Sequence, residues 1–369
     1  MNAPLQPPVS AVHSSAFGNS RRFLTTGLKV LLTAAAFYVL LTHSVRTESG
    51  ESISALRAIL DYLPQIRGDV FWRYVLLAFT VRSLGMGASM CRWYLLLRGQ
   101  GIIFPVTHVV TTFLIGRFLG TFLPSTLGLD GYKLYDAARF SGRGVEATAA
   151  TIVEKGLGII GIFLTFLVTL PLGRTILGAR ATVIAALTVP LSLAMITVFF
   201  LVAFQPERVS WLLGWLPVGQ HGRIRSMLQR LGAAAGAYQH HRLLLLITAV
   251  LSFAVHFCTA VTYFFTALAI GASHAEFWEV SFASTIQIFA TVISPFTIAG
   301  EGVREIVQTL LLAHRIGTSQ SILSAALGFW AAEAPTLIGG VFYLMRRADY
   351  RPHVQLLPPP GSALVEHPT

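Results

Sequence analysis

Eight stretches of this chain, near residues 23–41, 72–97, 107–124, 148–170, 181–204, 243–270, 279–297 and 320–345, are apolar almost without interruption. A helix needs about 20 such residues to cross a bilayer. In lipid only helices and closed barrels satisfy their own backbone groups, so runs of this length imply an all-α polytopic membrane protein. Charge content agrees: Asp, Glu, Lys and Arg make up 12% of the 369 residues, against about 25% in soluble domains. Mean hydropathy is +0.66. The net charge of +11 does not indicate nucleic acid. All but three of the basic residues (Lys29, Lys133, Lys155) are Arg, scattered between apolar runs as membrane topology requires. Cys91 and Cys258 fall inside apolar stretches and read as small buried hydrophobes. No metal-ligand spacing and no cofactor motif is present, so neither metal nor cofactor is expected.

Residues 1–20 read as a disordered tail and 21–350 as one transmembrane domain. Residues 351–369, rich in Pro, read as a second disordered tail. Arg21 and Arg22 before the first run resemble a twin-arginine export signal. The run exceeds the 7–15 residues of a signal core, however, and further spans follow, which favours a retained first span. The connection 205–242 carries Arg208, Arg223, Arg225, Arg230 and Arg242. In it Ile224, Met227, Leu228, Leu231, Ala235 and Tyr238 recur at helical spacing. Either an amphipathic helix on anionic lipid headgroups or a packed cytosolic helix fits that pattern.

The segment PSTLGLDGYK (124–133) aligns with PFTIAGEGVR (295–304). Pro124/Pro295, Thr126/Thr297 and Gly131/Gly302 are identical, and Gly128/Ala299, Asp130/Glu301 and Lys133/Arg304 match in kind. The same shift superposes the span from Trp72 on that from Leu243, and 148–170 on 319–341. Two copies follow, about 24–170 and 181–345. Pro124, Gly128 and Gly131 in one copy, and Pro295, Gly300 and Gly302 in the other, break the helix. A break at membrane depth is tolerated only where protein or water covers it. Residues 107–140 and 279–316 therefore read as re-entrant hairpins, which leaves about six full spans plus two broken segments. With the N-terminus inside, the hairpins put most connecting Lys and Arg on the cytoplasmic side, whereas eight complete spans reverse the bias. Eight spans with the N-terminus outside restore it, but export Arg21, Arg22, Arg346 and Arg347. The hairpin arrangement orients the copies oppositely and makes both termini cytoplasmic, as in transporters whose site lies at the repeat interface.

Ten ionisable residues fall at membrane depth: Arg82, Arg117, Lys133, Lys155 and Arg304, with Asp130, Glu154, Glu301, Glu305 and Glu333. Each would cost about 2.5–3.5 kcal/mol on a lone helix, so they pair or line a wet cavity. Asp130 and Glu301 each precede a half-helix and either cap it or pair with the base three residues on. The sharper reading brings both half-helix N-termini to one cavity for an anionic group such as a lipid phosphate, neutralised by Lys133 and Arg304. Arg82 and Arg117 are ligand contacts or partners for Glu154 or Glu333. Lys29, Arg73 and Arg92 lie near span ends and are expected to snorkel. His108 and His256 read as helix-interface histidines.

At these residues the chain resembles the flippase-like transmembrane domain of lysylphosphatidylglycerol synthases, over about residues 24–346. The resemblance rests on Arg117-Phe, the Pro124–Lys133 motif, Glu154-Lys155 and Pro295…Ala-Gly-Glu-Gly-Val-Arg304-Glu305. The chain departs at Leu129, where the family usually has a second Gly before the Asp, and at Lys133 and Lys155, where it usually has Arg. The resemblance implies a bacterial inner-membrane protein that translocates a phospholipid or lipid-linked substrate. With the chain ending at Thr369, no synthase domain and no aminoacylation are expected. Two other functions fit the residues. One is an accessory subunit of a lipid or cell-envelope synthesis system. The other is a headgroup-modifying enzyme using Asp130, Glu154 or Glu301 as acid or base, against which no Ser/His/Asp spacing, His-rich metal motif or P-loop is found.

Overall fold

Apolar segments dominate the architecture. In a computed structural model, the described residues are 31, 34, 35, 38–42, 44–46, 52–122, 127–178, 181–204, 236, 238, 241–293, 302–347 and 350–357. The parts of the expected first span among them are helical, and a short hairpin pairs β1 (Ser44–Arg46) with β2 (Ser52–Ser54). Helix α1 (Ala55–Tyr62) follows, capped by the Ser54 hydroxyl, which accepts from the Arg57 N–H. Then come α2 (Gly68–Gly99), α3 (Val106–Phe122), α4 (Leu127–Ser141), α5 (Gly144–Thr169) and α6 (Ala181–Phe204). The second half holds α7 (Arg242–Ala269), α8 (Phe277–Ile293), α9 (Val303–Ile316), α10 (Thr318–Glu333) and α11 (Leu337–Met345).

Five described helical segments are long and apolar enough to cross a membrane: Gly68–Gly99, Gly144–Leu177, Ala181–Leu201, Arg242–Ala269 and Thr318–Met345. The protein is an all-α polytopic membrane fold. Its shorter helices pair instead. α3 packs on α4 on either side of residues 123–126, where a Cβ on Gly128 would meet the backbone of Gly120. α8 packs on α9, with Gln308 Nε2 donating to Gln287 Oε1 at 2.7 Å. The expected breaks at Pro124, Pro295 and Gly300 lie outside the described residues, as does Glu301; so do residues 1–20 and most of 205–242.

The two helix hairpins open at opposite ends of the bundle. Long helices α2 and α7 run antiparallel: Gly99 meets Tyr238 and Leu244 at one end, Gly85 meets Cys258 midway, and the Tyr62 hydroxyl donates to Ile270 O at the other. The mouth of α3/α4 lies at the first of these ends, with Ile102–Ile103 (β3), and the mouth of α8/α9 at the second, where Arg315 binds Glu279. Gly142 and Gly317, both with positive φ (69° and 92°), close α4 and α9 and let the chain turn back into the next span.

An apolar cluster seals each end. Trp93, Leu96, Leu97, Phe104, Ala150, Val153, Leu157 and Leu245 pack at the first, and Tyr263, Ala267, Val280, Ala283, Leu312 and Ile316 at the second. Tyr238, part of the helical pattern seen in 205–242, is buried in the first cluster and its hydroxyl donates to Leu96 O at 2.8 Å. The disordered tail expected from residue 351 is corrected in part. Gln355–Leu356 (β4) pairs antiparallel with β3, and Arg143 Nη1 donates to Leu357 O at 2.7 Å. Those bonds, from main chain and from the Arg143 guanidinium, hold 355–357 against the bundle, a contact that local composition does not reveal.

Candidate functional site

Between the two apolar clusters lies a cavity of about 570 Å3. Every helix from α2 to α5 and from α7 to α10 lends it side chains. Seven of the eight predicted site residues line it: Arg82, Arg117, Asp130, Lys133, Glu154, Arg304 and Glu333. The eighth, Glu301, lies outside the described residues.

Its most deeply buried carboxylate is Glu154 on α5, only 3% exposed. Lys133 Nζ of α4 sits 2.6 Å from Glu154 Oε2, and Arg92 Nη2 of α2 sits 3.4 Å from Oε1. Three helices are thus tied at one carboxylate. Lys133 also lies 3.5 Å from Asp130, and its ammonium is over the rings of Trp93 and Phe113 at 5.4 and 5.5 Å. Rings at that distance stabilise a desolvated cation. Asp130 takes a second base, Lys155, at 2.9 Å. The local pairing weighed for Asp130 is therefore present, and Asp130 faces the cavity as well.

Arg117 of α3 pairs with Glu333 of α10, which joins the first hairpin to the last span. Arg82, the other expected partner for an acid, instead donates to Thr259 Oγ1 at 2.7 Å. Glu154 is already taken by Lys133 and Arg92. Arg304, 6% exposed, stacks on Phe329 with its Cζ 4.3 Å from the ring centroid. Glu305 turns away: its carboxylate accepts from the Gly302 N–H at 2.8 Å and caps α9.

Two expectations change. Arg92 does not snorkel. It is 8% exposed, two turns inside α2, and its Nη1 donates to Ser252 Oγ at 2.9 Å. The helix runs on to Gly99, beyond the length of the apolar run, which leaves Arg92 facing the cavity rather than the boundary. Equal numbers of acids and bases at membrane depth do not give a neutral cavity either. Among the described residues six bases line it (Arg82, Arg92, Arg117, Lys133, Lys155, Arg304) against three acids (Asp130, Glu154, Glu333). Glu305 is spent on a cap, and Arg92 adds a charge. Such a surface favours an anion.

His256 lines the cavity with Nε2 3.0 Å from Gly158 O. His108 is buried at 1% exposure outside it, with Nε2 2.8 Å from Asp136 Oδ2 and Nδ1 3.1 Å from the Tyr350 hydroxyl. Sequence reasoning missed Asp136. Its signal was its spacing, one turn beyond Lys133 on a segment read as membrane-embedded. Among the described residues no group of His, Cys, Asp and Glu could hold a metal ion.

A protein-family model described as "Lysylphosphatidylglycerol synthase TM region" matches residues 27–339. No curated protein and no solved structure gives a significant match.

Proposed function

The chain belongs to the lysylphosphatidylglycerol synthase TM-region family, and from that premise we propose that it moves a phospholipid, or another lipid-linked substrate with an anionic headgroup, between the leaflets of the membrane. Membership itself makes it a membrane protein tied to lipid biology. The observation that carries the finer reading is the cavity: one chamber reached by both hairpins and walled by an excess of bases. A headgroup phosphate would meet Lys133, Arg117 and Arg304 there, while the acyl chains stay in lipid. A charge-assisted hydrogen bond to phosphate is about twice as strong as a neutral one, and burial strengthens it.

The arrangement of the hairpins supports a pair of inverted repeats. They open at opposite ends, and Lys133 and Arg304, which the repeat alignment places in register, both reach the same cavity. Rocking of one copy against the other would expose the chamber to each leaflet in turn, the usual use of inverted repeats. The bacterial cytoplasmic membrane, with both termini inside, is the compartment this reading assigns.

The test is leaflet translocation of fluorescent phosphatidylglycerol in reconstituted vesicles, comparing wild type with Asp130→Asn and Arg304→Ala. Each variant is expected to slow transport about tenfold or more, the loss of one buried charge-assisted contact. Transport by both at the wild-type rate removes the site from the mechanism.

A further inference from the structure

A second pocket, of about 590 Å3, lies where α4 and α11 end, and it shares no lining residue with the central cavity. Its floor is a closed network. Asp136, 2% exposed, accepts from Thr112 Oγ1 at 2.8 Å and faces His108 Nε2 at 2.8 Å. Arg346 Nη2 sits 2.7 Å from Asp136 Oδ1, and its Nη1 donates to the Tyr132 hydroxyl at 2.7 Å. Asp136 is therefore neutralised by Arg346.

The rim has no such balance. Arg139 and Arg347 are exposed, and among the described residues no carboxylate forms an ion pair with either. Around them stand the hydroxyls of Tyr135, Tyr343 and Tyr350, and burial pushes the Tyr350 phenol further above neutrality, so it remains a donor. One side of the rim is apolar: Leu344 is 84% exposed and adjoins Met345 at 71%. Both residues close a membrane-spanning segment, and Arg346 and Arg347 come next. Exposed aliphatics followed at once by Arg, among tyrosines, mark the boundary between acyl chains and headgroups. At that depth a base-rich pocket with an apolar lip matches a molecule that is both anionic and lipidic.

We propose that this pocket binds one anionic glycerophospholipid, its phosphate held by Arg139 and Arg347 and an acyl chain laid along Leu344. The site is peripheral to the central cavity and shares none of its lining residues. Since α4 carries Asp130 and Lys133 to the cavity and Tyr132 and Asp136 to the pocket, a lipid bound here lies against the outer face of a hairpin helix.

Native mass spectrometry of the full-length protein in detergent tests it, with short-chain phosphatidylglycerol, short-chain phosphatidylcholine and inorganic phosphate titrated separately. Wild type is expected to retain one more phosphatidylglycerol than Arg139→Gln/Arg347→Gln, with at least about a tenfold loss of affinity for that copy in the variant. Arg304→Ala and the charge-keeping pair Arg139→Lys/Arg347→Lys are expected to retain it. Equal phosphatidylglycerol stoichiometry and affinity in wild type and the Gln pair overturns the proposal. Equally tight phosphatidylcholine binding overturns the charge assignment. Inorganic phosphate binding as tightly as the lipid overturns the acyl-chain assignment.

Discussion

Glu154 faces two cations, Lys133 and Arg92, and all three side chains are buried. Removing one member of a buried ion pair costs about 3–5 kcal/mol, because the other is left charged and unpaired. Glu154→Gln is therefore expected to lower the thermal midpoint of the detergent-purified protein clearly. Adding Lys133→Met to it should recover part of the loss, since the orphaned ammonium goes too. A Glu154→Gln midpoint equal to wild type would mean that solvent already screens this cluster. That such charges exist at membrane depth is evident from the sequence: of the nine expected there that belong to the described residues, eight line the cavity and the ninth, Glu305, caps α9. Which acid meets which base is not. Glu154 draws its partners from α2 and α4, and Arg117 finds Glu333 on α10. These distances are set by how helices pack, and sequence separation carries no trace of them.

At the scale of elements, contacts between helices depend on glycines that admit a neighbouring backbone. A Cβ on Gly161 of α5 would lie 2.7 Å from both the carbonyl carbon and oxygen of Ser252 on α7. Backbone cannot swing aside as a side chain does, so Gly161→Val should cost about 1–3 kcal/mol by overpacking. Gly87 of α2 has nothing within 4 Å of its virtual Cβ. Gly87→Ala is expected to be neutral or to stabilise by up to about 1 kcal/mol through helix propensity. Paired melting curves of the two variants check both expectations, and equal midpoints would deny the close α5–α7 approach. The spans themselves were legible, since apolar length alone demands a helix in lipid. The ends of α2 were not: polar and apolar residues mix beyond the 72–97 run, and the helix continues because packing against α7 favours it.

For the whole molecule, the proposed topology makes one end of the bundle cytoplasmic. That end carries Arg98, Arg139, Arg143, Arg346, Arg347 and Arg351, and the Arg-rich connection 205–240 joins α6 to α7 there. The opposite end mixes Arg67, Arg73, Arg174 and Arg315 with Asp61, Asp69, Glu276 and Glu279. A reporter fused after Tyr350 should thus be active only in the cytoplasm; activity on the outer side would reverse the assignment and the direction from which each hairpin enters. By itself the sequence determined the solvent of this protein, the helical character of its apolar runs, and the charges lipid cannot hold, because each of these follows from transfer energies summed along a local stretch. Only the tertiary structure decided that those charges share one chamber, that bases outnumber acids in its described walls, and that a second basic pocket opens at the bundle's end. Those properties depend on distances between residues far apart in the chain, and packing alone brings them within reach of one another.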